Sequence, residues 1–425
     1  MTGLADQAWF RDPALGRILA LLNDDGGADA GASGGEARIV GGAVRNSLMD
    51  LPVSDIDIAT TLRPEAVMER AAEAGIKAVP TGLQHGTVTL VIDGKPFEVT
   101  TLRTDVETDG RHAKVAFSTD WKADAERRDL TINALYADAK GEVVDLVGGL
   151  ADIERRNIRF IGDAAKRIAE DHLRILRFFR FFAYYGSGRP DSEGLKACAA
   201  ARSKLKTLSA ERLWSELRKL LGAADPGRAL LWMRQVAVLT EILPESELWG
   251  IDAIPSLVAT EKALGWTPDP LLRLAAIVPP DAARLEALSG RLKLSNAEAA
   301  TLKAWAMAAP ANDDMSSAAF ERLLYRNGAD GIMTRLKLAL GVARGKAEGD
   351  FDEMARSARL TKLLDYAANW KKPQFPLNGG DVMSVGIASG PRVGALLAGL
   401  ENQWVEENFV SDRAALLARL LEQVQ

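Results

Sequence analysis

The hydrophobic period of this chain changes once, at Gly148-Gly149, and that change restricts its possible folds more than any other feature. Before it, β-branched residues alternate in short runs. Residues 38–40, 54–60, 87–92 and 97–102 read as strands, with Gly41-Gly42 as a tight turn and helices over 43–49 and 64–74. After it, apolar residues recur at i, i+3 and i+4 through 164–185, 210–221, 227–243 and 270–277, and onward to Trp370, with Pro and Gly at the joins. The expected class is therefore α+β, a mixed-sheet head followed by an elongated all-α remainder. At ~150 residues per domain, 425 residues hold about three. The divisions expected are an N-terminal helix and connector (1–36), the head (37–150), a helical neck (151–222), a body (223–372) and a tail (373–425).

Charge adds a location. The net charge is -5, yet residues 151–220 carry 16 Lys+Arg against 9 Asp+Glu, a local +7 that leaves -12 elsewhere. A basic segment in an acidic protein is the footprint of a localised polyanion site, with a salt-bridged helical face as the plainer reading. A single cysteine, Cys198, rules out an internal disulfide framework and fits a reducing cytoplasm. The N-terminal residues lack a basic leader, and no uncharged apolar run is long enough to span a bilayer.

Asp55 and Asp57 stand at i and i+2 in a predicted strand, so their carboxylates should project together while Ile56 and Ile58 face the core. Paired acids on a strand repel unless a divalent cation lies between them, and Mg²⁺ binds one or two carboxylates plus substrate phosphates. Upstream, Gly41 and Gly42 let phosphate approach the backbone, and Arg45 can add a forked cation. Glu98, alternating with Phe97 and Val99 on a nearby strand, is the candidate third acid of a two-metal site. His85, His112 and His172 have no metal-ligand spacing, and no histidine follows residue 172.

Five segments in order resemble the class II tRNA nucleotidyltransferase and bacterial poly(A) polymerase family, a branch of the DNA polymerase beta superfamily. They are Val40-Gly41-Gly42-Ala43-Val44-Arg45 with Asp55-Ile56-Asp57, then 126–135, 145–152, 170–181 and 209–217. Asn46 departs from the family's usual Asp. The resemblance implies addition of C, C and A to the tRNA 3′ end from CTP and ATP without a nucleic-acid template. It places the nucleotide against Arg128 and puts base reading on Asp171 and Arg174. A carboxylate accepting from an exocyclic amino group beside a guanidinium donating to a ring nitrogen takes C or A and refuses U and G. On a continuous helix each three-residue step turns the side chain by about -60°. Arg177 is thus assigned loosely to the nucleotide, and Arg180 to phosphate, RNA or internal pairing. Asp129 and Asn133 are expected to bind ribose or hold Arg128, and residues 103–114 to form a mobile loop beside the site. The tail segment 377–394 is a candidate tRNA contact. The same motifs serve a poly(A) polymerase or an enzyme adding only CC or only A. An RNA-binding protein on a dead scaffold is the reading from another class.

Overall fold

The computed structural model describes residues 3–23, 34–109, 112–247 and 250–424. The connector expected before residue 36 lies largely outside the described residues. Two compact units are present, Met1–Ile242 and Leu243–Gln425.

The first unit begins with helix α1 (Pro13–Leu22), capped by the Asp12 side chain, which accepts from the Ala14 N–H. A seven-stranded sheet follows, built from β1 (Ala37–Val40), β2 (Asp57–Thr60), β3 (Lys77–Gly82), β4 (Thr87–Ile92), β5 (Lys95–Thr101), β8 (Leu135–Ala137) and β9 (Val143–Asp145). Its order is β3-β4-β5-β2-β1-β8-β9. Only β2 and β5 run parallel; the other neighbours are antiparallel. Alternation in β4 buries Val88, Leu90 and Ile92, and in β5 Phe97 and Val99, while intervening residues face outward. Helix α2 (Gly42–Leu48) packs on β1 and β8, and α3 (Pro64–Glu73) on β3 and β4. The head expected from the sequence is thus present, with β3, β8 and β9 added.

Residues 103–114 are not the loop expected. Strands β6 (Arg103–Asp109) and β7 (His112–Phe117) pair antiparallel as a two-stranded ribbon; Gly110 and Arg111 between them lie outside the described residues. The signal was an Asp-Gly pair between two runs of strand-forming residues.

Helices α4 (Trp121–Glu126) and α5 (Gly149–Glu154) flank a 3-10 turn at Thr131–Asn133. Asp145 gathers the N–H groups of Val147, Gly148, Gly149 and Leu150, fixing the start of α5. Gly149 is required there, because a Cβ would lie 2.4 Å from the Thr131 carbonyl oxygen. The single helix expected over 164–185 is two, α6 (Ala164–Glu170) and α7 (Arg174–Tyr185), interrupted at Asp171, whose backbone is extended. Next come α8 (Ser192–Ala201), α9 (Ala210–Leu221), α10 (Gly227–Gln235) and α11 (Val238–Ile242). Both α9 and α10 pack on α7, and the first compact unit ends at Ile242.

The second unit is helical among its described residues: α12 (Ala253–Leu264), α13 (Pro270–Ile277), α14 (Ala282–Leu292), α15 (Asn296–Met307), α16 (Ser317–Asn327), α17 (Ala329–Lys346) and α18 (Phe351–Asn369), then α19 (Gly379–Ser384), α20 (Pro391–Glu406) and α21 (Arg413–Val424). Asp and Ser caps open α13, α14, α15, α16 and α18. Leu377, Val382, Leu400, Trp404 and Leu416 share a core with Tyr325 of α16, so residues 373–425 are not a detached tail.

Candidate active site

Gly41 adopts φ +75° at the end of β1, a conformation that favours glycine, and its neighbour Gly42 opens α2. The turn aims the start of α2 at a cleft of about 460 Å³, within the range of a nucleotide-sized ligand. Arg45 lines that cleft but is buried, and its fork is already held. It donates to Asn133 Oδ1 at 2.6 Å, to the Tyr185 hydroxyl at 2.8 Å and to Asn46 Oδ1 at 2.9 Å, and it stacks 4.2 Å from the Tyr185 ring centroid. Burial lowers its pKa from the usual arginine value. Arg45 is therefore a fixed cation in the wall rather than a swinging one.

Asp57 is the first residue of β2, paired with Val40 on one side and Glu98 of β5 on the other. Asp55 does not share the strand as expected. Pairing stops at Asp57 on both neighbours, and Asp55 sits exposed in the preceding segment, accepting from Ser54 Oγ at 3.0 Å. Although Asp57 faces solvent, the surrounding walls withdraw water from its carboxyl and raise its pKa; Glu98 and Asp55 push the same way, against Arg128. Glu98 stands in the interior of the sheet, beside Asp57, rather than on an edge. Among the described residues no three His, Cys, Asp or Glu side chains form a preformed cage. The donor set still suits a hard divalent cation. Crowded carboxylates would supply part of its shell and leave room for phosphate oxygens.

Asp124 of α4, which sequence reasoning missed, anchors the arginines above the acids. Its carboxylate is 1% exposed and accepts from Arg127 at 2.8 Å, from Arg128 at 2.9 Å and from the Tyr136 hydroxyl at 2.8 Å. Burial would raise its pKa, but Arg128 and Arg127 outweigh that and lower it. The signal was its position three and four residues before two arginines. Asp129 and Asn133 are buried around the 3-10 turn rather than solvated, and Asp129 does not hold Arg128. It pairs with Arg177 at 2.6 Å and accepts from Asn133 at 3.1 Å. Those partners overcome its burial and bring its pKa down to about 2.

The break between α6 and α7 sets the far end of the cleft. Asp171 is the residue just after α6, not a member of α7. One of its carboxylate oxygens accepts from the Leu173 N–H at 3.0 Å, the other from Arg212 of α9 at 2.6 Å. Arg174, the first residue of α7, donates to the Arg167 carbonyl at 2.9 Å and to Glu170. Arg180 points elsewhere: it pairs with buried Glu216 at 2.6 Å and is not among the lining residues, the internal pairing that helical geometry allows. Arg212 lay within a quoted motif without an assigned role. Lining the cleft together are Gly41, Gly42, Arg45, Asp57, Arg127, Arg128, Asp129, Asn133, Asp171, Arg174, Arg177 and Arg212, with Leu173 and Phe181. Six arginines and three aspartates line it, which makes the cleft cationic. Asp55 and Glu98 flank Asp57 outside that lining.

Residues 37–159 match the family model described as "Poly A polymerase head domain", and 189–249 match "Probable RNA and SrmB- binding site of polymerase A". The chain is 35% identical to mouse (Mus musculus) "CCA tRNA nucleotidyltransferase 1, mitochondrial" over 402 residues, covering 90% of this chain and 86% of that protein. It is 31% identical to the CCA-adding enzyme of Limosilactobacillus fermentum over 390 residues, covering 91% and 92%. The crystal structure of the Bacillus stearothermophilus CCA-adding enzyme in complex with CTP superposes with a TM-score of 0.69 at 27% identity, covering 96% of each chain.

Proposed function

Because the chain belongs to the family of CCA-adding enzymes and poly(A) polymerases, we propose that it is a CCA tRNA nucleotidyltransferase, adding C, C and A to the tRNA 3′ end from CTP and ATP. The observation that carries this reading is that Asp57, Asp171 and Arg174 line one cleft together with five further arginines.

In the reaction, the tRNA 3′ hydroxyl attacks the α-phosphate of the bound nucleotide, the bond to the β-phosphate breaks, and pyrophosphate leaves. Asp55 and Asp57, with Glu98 beside them, are the residues that would hold a divalent cation, Mg²⁺ in our reading. Bound there, it would lower the pKa of the 3′ hydroxyl and stabilise charge on the leaving oxygen. Arg45, Arg128 and Arg177 make the cleft wall cationic and draw the triphosphate in. Asn133 fixes Arg45 and Asp129 fixes Arg177, so neither guanidinium must be reorganised during transfer. At the other end Asp171 accepts from the exocyclic amino group of C or A, while Arg174 donates to the neighbouring ring nitrogen. Arg212 keeps the Asp171 carboxylate turned. The bases U and G present a carbonyl where the amino group belongs and set its oxygen against the Asp171 carboxylate, a cost of about 1–3 kcal/mol.

The basic segment 151–220 would hold the tRNA acceptor arm by backbone charge. No described helix is long and apolar enough to cross a membrane. The one cysteine, buried Cys198, fits a reducing compartment, and we propose the cytoplasm.

The test is to incubate tRNA transcripts lacking CCA, or ending in CC, with CTP, ATP or both, and size the products. Addition that stops after three residues supports the reading. Long A tails would point to a poly(A) polymerase, and no extension to a binding protein.

A further inference from the structure

Arg45 can only donate hydrogen bonds and the Pro52 carbonyl can only accept them. One side chain joins the two. Asn46 Oδ1 accepts from Arg45 Nε at 3.1 Å and Nη2 at 2.9 Å, and Asn46 Nδ2 donates to the Pro52 carbonyl oxygen at 2.8 Å. The backbone of the same residue adds a third tie, since the Leu51 N–H donates to the Asn46 carbonyl at 2.8 Å. Residues 51–56 lie outside helix and strand, and Asp55 follows Pro52 by three positions. The amide fills both roles at once, where the family's usual aspartate can fill only the first. Aspartate could accept from Arg45 but would have nothing to donate, and would set its charge against the Pro52 oxygen.

On its other side Arg45 Nη2 donates to the Tyr185 hydroxyl, and the guanidinium lies over that ring. Tyr185 is the last residue of α7, whose first residue, Arg174, lines the base end of the cleft. We propose that Asn46 is a positioning residue that registers the Asp55 loop against Arg45 and, through Tyr185, against helix α7. The relay runs from α7 to Tyr185, Arg45, Asn46 and the Pro52 carbonyl. It would hold the Asp55 loop and the base-reading helix in one fixed spacing.

The activity arm of the test rests on the proposed function; the structural arm does not. In the structural arm, hydrogen–deuterium exchange of residues 50–57 is followed in the nucleotide-free protein. Asn46→Asp should speed exchange there several-fold while the sheet strands keep wild-type protection. In the activity arm, turnover of CTP onto tRNA should fall about fivefold in Asn46→Asp, as expected for one lost hydrogen bond at an exposed carbonyl. The KM for CTP should move less than turnover does. Tyr185→Phe keeps the ring and removes the acceptor, and should act in the same direction by about threefold. The double variant should be no worse than Asn46→Asp alone, because the relay is already cut. Unchanged loop exchange, turnover within twofold of wild type, or losses that multiply in the double variant would each overturn the proposal. If Asn46→Asp does not fold, Tyr185→Phe decides it by the same exchange and turnover readouts. A wild-type protein that transfers no nucleotide would sink the functional reading and leave the exchange arm in force.

Discussion

Replacing Asp129 by asparagine removes one negative charge from the centre of the cleft wall and leaves its shape almost unchanged. Burial alone would push the Asp129 carboxyl up, but Arg177, Asn133 and the Leu130 N–H bring it from the ordinary 3.8 down to about 2. The group is 7% exposed, so solvent screening takes little from the pairing. A gap of that size is worth about 2 kcal/mol at neutral pH. Folding lowers this pKa, so the contribution is complete above about pH 4 and is lost as pH falls through 2; at pH 3 about half should remain. Native-state hydrogen exchange of the α7 amides under urea reads the effect where it acts, since Arg177 is on that helix. Asp129→Asn should lower the opening free energy of α7 by about 2 kcal/mol at pH 7, and the difference from wild type should narrow by about half at pH 3. A loss below about 0.5 kcal/mol at pH 7, or a gap that does not narrow in acid, would refute the claim that the Arg177 pair is what holds this carboxylate ionised.

Asp57→Asn relieves repulsion from Glu98 and Asp55, so the metal-free protein should melt at a higher temperature while nucleotide addition falls on the order of 10³-fold. A lower melting temperature would contradict that crowding. Arg212→Met frees the Asp171 carboxylate and should raise UTP incorporation relative to CTP about tenfold, scored by single-nucleotide extension; unchanged selectivity would show that Arg212 does not orient the reader. In the second unit, Glu261 and Arg273 form a pair 3% and 1% exposed. Glu261→Gln should cost about 3 kcal/mol in urea unfolding by removing the carboxylate charge that this buried guanidinium pairs with, and a change under 1 kcal/mol would contradict this.

Most of the head was legible because local chemistry and fold agree there. Alternation marked β1, β4 and β5, and Gly41-Gly42 marked the turn that only a positive φ satisfies. What the sequence could not settle was where pairing ends. Nothing in Ser54-Asp55-Ile56 says that β1 and β5 offer no partner beyond Asp57, so Asp55 was expected on the strand. The break at Asp171 was hidden for a related reason. The apolar spacing runs on through α6 and α7, and only the contact with Arg212, 41 residues away, shows the residue in an extended turn. The rotation expected for Arg180 was counted from Asp171 on one continuous helix; Asp171 stands outside α7, and Arg180 pairs with Glu216. Asp124 and Tyr185 escaped notice because their roles are to hold arginines, and their partners are set by packing rather than by motif.

The most direct test supplies all four nucleotides together with a tRNA transcript lacking its terminal three residues, then sequences the product 3′ ends. A cleft that reads bases through Asp171 and Arg174 and stops by geometry should yield ends reading CCA, with U and G rare and no longer tails. Ends rich in U or G, or runs of A continuing past the third position, would contradict the account.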